Sequence, residues 1–197
     1  NICKQKVSAE PHRDILLKGI KVTNDTFVTL NWNKYEGWGT NGIDHYLVYR
    51  RINEDTAYTL YSIPFTDTFF TSVQALDGYR QCYRVWAAKH GNNDTLSLSN
   101  SKCFLYDPIV YVPNAFSPDR KDMMNDVFMP SIVNAKSFGL TIYNTWGERI
   151  FTSSDLKMGW DGTFRNKKSP VGVYLYTLEV VGISGTTHYS GYLHLVN

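Results

Sequence analysis

The sequence lacks the marks of several large classes of protein. It has no apolar run of the ~18 residues that a membrane-spanning helix needs. Its 20 Lys and Arg residues offset 18 Asp and Glu residues and form no block. Nucleic-acid binding is therefore not expected, because it depends on clustered cations that displace counterions. No stretch sustains a helical apolar period, so long amphipathic helices are not expected either.

Signatures of catalysis are also missing. The five histidines are scattered, none lies in a His-Glu-x-x-His motif, and no Gly-x-Ser-x-Gly elbow, P-loop or Gly-x-Gly-x-x-Gly occurs. The three cysteines lack the spacing of metal ligands. The sequence therefore predicts a non-catalytic chain without a cofactor. Any enzymatic activity of a parent protein would lie upstream.

The chain begins Asn1-Ile2-Cys3, without Met or a signal peptide. We expect it to be the C-terminal region of a larger exported protein, with residues 1–10 as the tail of an upstream module or a linker. Cys3 either ends the last strand of such a module, away from its partner, or is an unpaired thiol in a tail.

Aromatic residues and turns are what the sequence has in quantity. Aromatic residues make up 15% of the chain, and turn residues divide it into short segments of alternating polarity. Flat aromatic side chains suit the pleated surface of strands. A length of 197 residues fits two domains of about 100 residues each. The sequence therefore predicts an all-β chain made of two tandem β-sandwiches.

The first half contains alternating segments at residues 27–33, 45–51, 80–89 and 97–105. Their expected inward side chains are Val28, Leu30, Trp32, Tyr46, Val48, Tyr83, Val85 and Ala87. The pattern resembles a fibronectin type III sandwich over residues 11–107, but Gln81 stands where that family usually has a corner tyrosine. Proline interrupts ladders, so the boundary between the domains is expected at residues 106–108.

Two of the three cysteines are predicted to form a disulfide. If residues 80–89 and 97–105 form a hairpin centred on Asn92-Asn93, Cys82 and Cys103 face each other. Such a bond indicates an oxidising compartment. Two independent buried thiols are the alternative.

The second half carries an ordered series of motifs. PNAFSP (113–118), NDVF (125–128), IYNTWGERIF (142–151) and WDGTF (160–164) precede strands at 172–180 and 191–196. In this order they resemble the gliding-motility-associated C-terminal domain of Bacteroidetes, the type B sorting domain of the type IX secretion system, over residues 108–197. The resemblance implies an Ig-like β-sandwich that works as an address label and performs no chemistry. It also implies export through the periplasm and outer membrane to the cell surface or the extracellular space.

The positions that match the family pattern are the expected secretion-signal motif. They are Pro113, Asn114, Phe116, Pro118, Asn125, Asp126, Tyr143, Asn144, Trp146, Gly147, Trp160, Asp161, Gly162, Gly172, Tyr174, Tyr176, Gly191, Leu193 and Leu195. Alternation places another set on inward faces, with Gly191 leaving room for a close neighbour. That set is Phe138, Leu140, Ile142, Tyr174, Tyr176, Leu178, Val180, Leu193 and Leu195.

The last strand is expected to meet a partner. Its edge is expected to be free for added backbone hydrogen bonds, and Tyr192 and His194 are expected to face that partner. The resemblance implies the type IX translocon together with an outer-membrane barrel protein of the PorP/SprF type. The first domain is then a spacer. The alternative function is an adhesin stalk or a carbohydrate-binding accessory module of a surface protein.

A group of oxygen ligands lies within eight residues: Asp119, Asp122, Asn125 and Asp126. Carboxylate and amide oxygens could hold Ca²⁺, but the spacing is not that of an EF-hand, and Arg120 and Lys121 would repel a cation. The favoured interpretation is that these side chains cap their own turn, so no metal site is predicted.

Two tryptophans lie in predicted turns, at residues 144–147 and 160–162. In each, we expect Trp to pack inward, Asn or Asp to bond to the backbone and Gly to relieve strain. An aromatic platform for sugars is the alternative. Trp38, in a Gly-rich loop, is expected to be the most exposed aromatic residue.

Overall fold

The computed structural model describes residues 13–22, 27–39, 42–73, 76–118 and 125–196. Cys3 and residues 1–10 lie outside these ranges, as do Asp119 and Asp122. Within them the chain forms strands and turns and no α-helix, which confirms the predicted all-β fold. None of the described segments is a helix long and apolar enough to cross a membrane. Contacts divide the chain into two compact units, Asn1–Phe104 and Leu105–Asn197. The domain limits given above, 11–107 and 108–197, stay predictions.

The first unit contains two antiparallel sheets. One consists of β1 (Leu17–Val22), β2 (Phe27–Trp32) and β5 (Phe69–Val73), with β2 in the middle. The other consists of β4 (Tyr58–Pro64), β3 (Ile43–Ile52), β6 (Arg80–Lys89) and β7 (Asn92–Leu98) in that order, and β8 (Lys102–Leu105) also pairs with β6. Trp32 of the first sheet meets Tyr46 of the second edge to face, with ring centroids 5.5 Å apart. The two sheets therefore form a sandwich.

The alternation predicted for these strands is confirmed. Val28, Leu30 and Trp32 on β2 are buried, and so are the expected inward residues of β3 and β6. Their neighbours along β2 and β3 are half-buried or exposed, as a period of two requires. Each large apolar side chain buried in this way stabilises the fold by about 1.5–3 kcal/mol.

Gln81 stands where the resemblance predicts a corner tyrosine, and it is only 1% exposed. The hydroxyl of Tyr83 donates to Oε1 of Gln81 at 3.1 Å. Burial raises the pKa of Tyr83, which keeps its hydroxyl protonated and able to donate. Two side chains of one strand thus satisfy polar groups that the core would otherwise leave unpaired.

The predicted disulfide between Cys82 and Cys103 is confirmed, with Cα atoms 4.0 Å apart. The predicted single strand over residues 97–105 is wrong, because the ladder is interrupted. Trp86 lies opposite Leu98, one residue away from the predicted register. At Ser99 the pairing changes: its N–H still donates to the carbonyl oxygen of Val85 at 2.8 Å, but its Oγ accepts from the N–H of Val85 at 2.8 Å. The chain resumes as β8, where the cysteines oppose each other.

The described part of the second unit contains one large sheet and two short ladders. The large sheet has the order β10 (Ala115–Phe116), β17 (Thr186–Leu195), β16 (Gly172–Val181), β12 (Ser137–Tyr143) and β13 (Arg149–Ser153). β10 runs parallel to β17, and the other neighbours are antiparallel. The ladders join β9 (Ile109–Tyr111) to β11 (Ser131–Val133) and β14 (Thr163–Phe164) to β15 (Lys167–Lys168). Phe128 forms a separate bridge with Trp160.

The inner face of the large sheet is the predicted one. Its buried residues include Phe138, Leu140, Ile142, Tyr174, Leu178, Val180, Leu193 and Leu195. Phe128, Ile132 and Trp160 belong to the same core and come from the short ladders and the bridge. The ring of Tyr176 lies over Gly191: a Cβ there would be 2.8 Å from its hydroxyl oxygen. This confirms that Gly191 makes room for a close neighbour.

Breaking the disulfide should destabilise the first unit. Replacing Cys82 and Cys103 by Ser removes a link between residues that are 21 positions apart. In the chain-entropy model, such a link stabilises the folded state by about 3 kcal/mol. Differential scanning calorimetry should show the first unit melting at a lower temperature while the second unit is unchanged. Cys3→Ser serves as the control. A double variant that melts like the parent chain would contradict a stabilising bond.

Gly159 is expected to be the least replaceable glycine of the second unit. A Cβ there would contact Val127 and lie 2.6 Å from the carbonyl oxygen of Phe128, which is backbone and cannot turn aside. Gly159→Ala should therefore cost about 1–3 kcal/mol, measured by urea denaturation. Gly139→Ala, where no atom lies within 4 Å, should change stability by less than about 0.5 kcal/mol. Equal losses in the two variants would show that the close approach is unimportant.

Candidate functional site

Several of the predicted motif residues lie in the core of the second unit. Phe116, Trp160, Tyr174, Leu193 and Leu195 are buried. The ring centroids of Phe116 and Trp160 are 5.2 Å apart, and those of Trp160 and Tyr174 are 4.9 Å apart. Burial raises the pKa of Tyr174, whose hydroxyl donates to the carbonyl oxygen of residue 170 at 2.6 Å. These residues build the core and are out of reach of a receptor that meets the folded domain.

Residues 160–162 form the predicted turn with its tryptophan inward. Trp160 is fully buried, and its indole N–H donates to the carbonyl oxygen of Thr163 at 2.8 Å. Oδ1 of Asp161 accepts from the N–H of Thr163 at 3.0 Å and from its hydroxyl at 2.7 Å. Gly162 has a φ of 78°, and a Cβ there would lie 3.0 Å from Pro118. The segment is a structural corner, so Trp160 offers no platform for a sugar.

The first motif segment ties the start of the second unit to its end. The carbonyl oxygen of Asn114 accepts from the N–H of His194 at 2.8 Å. Pro113 and Pro118 are half-buried on either side of β10. The segment therefore pairs with β17 and holds the start of the unit against its last strand.

The acidic segment is described only at its end. The carbonyl oxygen of Asn125 accepts from the N–H of Ser117 at 2.9 Å, and Asn125 has a φ of 56°. Asp126 is half-buried, while Asp119 and Asp122 lie outside the described residues. In the described ranges no group of three or more His, Cys, Asp or Glu residues is placed to hold a metal ion.

The expectation of a free edge on the last strand is wrong at its C-terminal end. β17 pairs with β16 on one side, and on the other β10 places Ala115 opposite His194 and Phe116 opposite Leu195. The N–H of Val196 also donates to the carbonyl oxygen of Phe116 at 3.0 Å. The chain's own PNAF segment thus pairs with the part of the β17 edge where a partner strand was expected.

Side chains on the outer face of the large sheet remain accessible. Tyr192 lies opposite Leu175, and Leu175 lies opposite Tyr143, so the three form a row across β17, β16 and β12. We call this set the outer row. Tyr192 is 66% exposed and Leu175 39%. His194 is exposed in the next register position, opposite Val173.

The opposite end of the same face is polar. Glu179 lies opposite His188, with Oε2 and Nδ1 3.6 Å apart, and Thr177 lies opposite Ser190. The outer face is therefore apolar where β17 ends and hydrophilic where it begins. Apolar residues grouped on an exposed face mark sites of protein interaction.

The turn between β12 and β13 holds Trp146 in solvent. Trp146 is 91% exposed, so the expected inward packing is wrong. Trp38 is half-buried against Tyr35, with ring centroids 4.5 Å apart, and is not the most exposed aromatic residue. The physical reason is position: the tip of a hairpin has no facing layer to receive a side chain. We call residues 144–148 the indole turn.

Hydrogen bonds fix the indole turn. Oδ1 of Asn144 accepts from the N–H groups of Trp146 and Glu148 at 3.0 and 2.9 Å. The N–H of Gly147 donates to the carbonyl oxygen of Asn144 at 3.0 Å, and Gly147 has a φ of 79°. Asn144 and Gly147 thus do what the sequence predicted, and the result is a rigid support for an exposed ring.

Cations lie around this turn. Oε1 of Glu148 accepts from Nη2 of Arg165 at 3.0 Å, which links the indole turn to the β14–β15 hairpin. Arg165 and Asn166 both have positive φ, at 50° and 63°, as a tight two-residue hairpin requires. The exposed cations in or next to these two turns are Arg149, Arg165, Lys167 and Lys168.

Sequence reasoning missed Leu175 and the cations of the β14–β15 hairpin. The sequence held a signal for Leu175. Residues 172–180 carry apolar side chains on both faces of the strand, which indicates that both faces are covered. The hairpin could have been found from the polar Arg165-Asn166 pair between two short segments. Its link to the indole turn depends on tertiary structure.

Solved structures with fibronectin type III domains are similar to the chain. The FN1–FN3 domains of chicken CNTN1 are 12% identical, with a TM-score of 0.41, over 95% of this chain and 66% of that chain. A two-domain segment of chicken tenascin is 15% identical, with a TM-score of 0.35, over 93% and 98%. The central fibronectin-III array of RIM-binding protein is 13% identical, with a TM-score of 0.32, over 94% and 69%.

The motifs of the second unit have a family match. No curated protein matches the chain. Residues 110–195, however, match the family CHU_C, the type IX secretion signal domain. A signal of this type directs export through the outer membrane to the cell surface or the extracellular space. Over residues 110–195, less than half of its length, the chain is thus similar to the CHU_C type IX secretion signal domain.

Proposed function

We propose that the second unit is recognised as a folded sorting signal through its indole turn and its outer row. The first unit acts as a spacer, and the chain performs no catalysis. Its binding partners are the type IX translocon and an outer-membrane barrel protein of the PorP/SprF type. The family match supports the sorting role, and the distribution of exposed residues supports the choice of surface.

The observation that carries this proposal is the exposure of Trp146. A tryptophan that is 91% exposed gives its fold almost no burial energy, so its place on a fixed turn needs another reason. Tryptophan is enriched among the residues that dominate the binding energy of protein interfaces. A support held by its own hydrogen bonds lowers the entropy lost when the ring is captured.

The cations around the indole turn indicate the chemistry of the partner's binding surface. Arg165 lies 4.7 Å above the ring of Phe164 and is bonded to Glu148, so one positive group is fixed beside the indole turn. Lys167 and Lys168 are exposed on the same hairpin. A complementary surface has an apolar cleft for the indole and an acidic rim. Charge complementarity of this kind speeds encounter and suppresses wrong partners.

Replacing Trp146 by Ala should strongly reduce export and leave the fold intact. The test fuses residues 105–197 to a periplasm-directed reporter in a bacterium with a type IX system, and measures the surface fraction by protease accessibility. We expect a loss of at least about tenfold, because interface tryptophans often contribute 2 kcal/mol or more. The melting temperature should stay unchanged, since the ring is exposed.

Met158→Ala is the matched control for this test. Met158 is an apolar residue of the same unit, 56% exposed and outside both proposed surfaces. The proposal fails if the Trp146→Ala reporter reaches the surface at the parental level. It also fails if the Met158→Ala reporter is lost to the same extent.

Tyr192→Glu should weaken export by placing a charge in the outer row. Glu179→Gln, at the polar end of the same face, should have little effect, and both variants should melt like the parent chain. Truncation at residue 192 is a poorer test, because it removes Leu193 and Leu195 from the core and would unfold the unit. Undiminished surface delivery of Tyr192→Glu would limit recognition to the indole turn.

A further inference from the structure

A recess in the first unit has a lining without any acidic side chain. It lies on the outer face of the larger sheet, has a volume of 330 Å³ and is lined by Tyr49, Arg51, Cys82, Arg84, Trp86 and Ser101. Register brings these residues together: Tyr49 lies opposite Arg84, and Arg51 lies opposite Cys82. Alternate residues of a strand share a face, so the recess faces away from the buried side of β3 and β6.

The lining supplies hydrogen-bond donors and positive charge. Neither Arg51 nor Arg84 has an ion-pair partner among the described residues. The indole N–H of Trp86 is buried and meets no acceptor in the part of the chain that the structure describes. An acceptor-rich anion would match the guanidinium groups of Arg51 and Arg84.

One wall of the recess is a stack of aromatic rings. The centroids of Tyr58 and Tyr49 are 4.6 Å apart, and those of Tyr49 and Trp86 are 5.4 Å apart. The rings come from three adjacent strands and hold each other in place. The bond between Cys82 and Cys103 fixes the other side of the recess. A site held in this way loses little entropy when a ligand binds.

We propose that this recess binds an acidic saccharide, a sugar ring that carries a carboxylate. A guanidinium group matches a carboxylate in two parallel hydrogen bonds, which favours Arg51 and Arg84 as its partners. The apolar part of the sugar ring packs against the aromatic wall. The proposal concerns the first unit and is independent of the sorting signal.

Titration calorimetry of the full chain with trigalacturonate at low salt tests the proposal. We expect saturable binding that is at least tenfold weaker in Arg84→Gln and in Arg51→Gln. Arg13→Gln is the matched control, since Arg13 is an exposed arginine of the same unit that does not line the recess. Arg84→Gln should be exported like the parent chain, which separates this site from the sorting function.

Two comparison ligands decide the chemical class. Galactotriose has the ring but no carboxylate, and triglutamate has carboxylates but no ring; both should bind at least tenfold more weakly than trigalacturonate. Equal binding of galactotriose would overturn the acidic assignment, and equal binding of triglutamate would overturn the saccharide assignment. Absence of binding by trigalacturonate, or unchanged affinity in Arg84→Gln, would overturn the site itself.

Discussion

Complete burial of Trp160 is the constraint on which the second unit depends. Its backbone pairs with Phe128 through two hydrogen bonds of 2.8 and 3.0 Å, and its ring contacts Phe116 and Tyr174. The elements outside the large sheet are ladders of only two or three residues, and the ring of Trp160 joins Phe128 and Ile132 in the core that they share with the sheet. Removing a buried side chain of this size typically costs about 3–5 kcal/mol. Glycine at 159 and 162 lets the chain come close enough for this packing.

This constraint separates architecture from recognition within the motif. Trp160, Phe116 and Leu193 are required by packing, so their presence in the motif says nothing about contact with a receptor. Trp146 has the opposite character, because the fold gains almost nothing from its ring. Two tryptophans that look equivalent in the sequence, each beside glycine in a turn, therefore have different roles. Burial is the property that distinguishes them.

Local pattern explains what the sequence could predict and what it could not. Alternation gave the inward faces of β2, β12 and β16, because a strand has a fixed period of two. The same reasoning could not place β10 against β17, a parallel pairing of residues 115–116 with 194–195 that no local signal encodes. It also missed the break at Ser99, where a side chain replaces a backbone partner. The direction of Trp146 depends on what faces a hairpin tip, and that is a tertiary property.

The two units close their structures by different physical means. In the first unit, the chain that pairs with β6 is interrupted between β7 and β8, at residues 99–101. Beyond this break the disulfide joins β8 to β6. The second has no cysteine and closes by pairing β10 with the last strand, so residues about eighty positions apart meet through backbone hydrogen bonds and apolar packing alone. Its closure therefore needs no oxidant, whereas the first unit reaches full stability only where thiols oxidise. A sorting signal has to be recognised during export. A fold that is completed by strand pairing and apolar burial can be recognised whether or not thiols are oxidised.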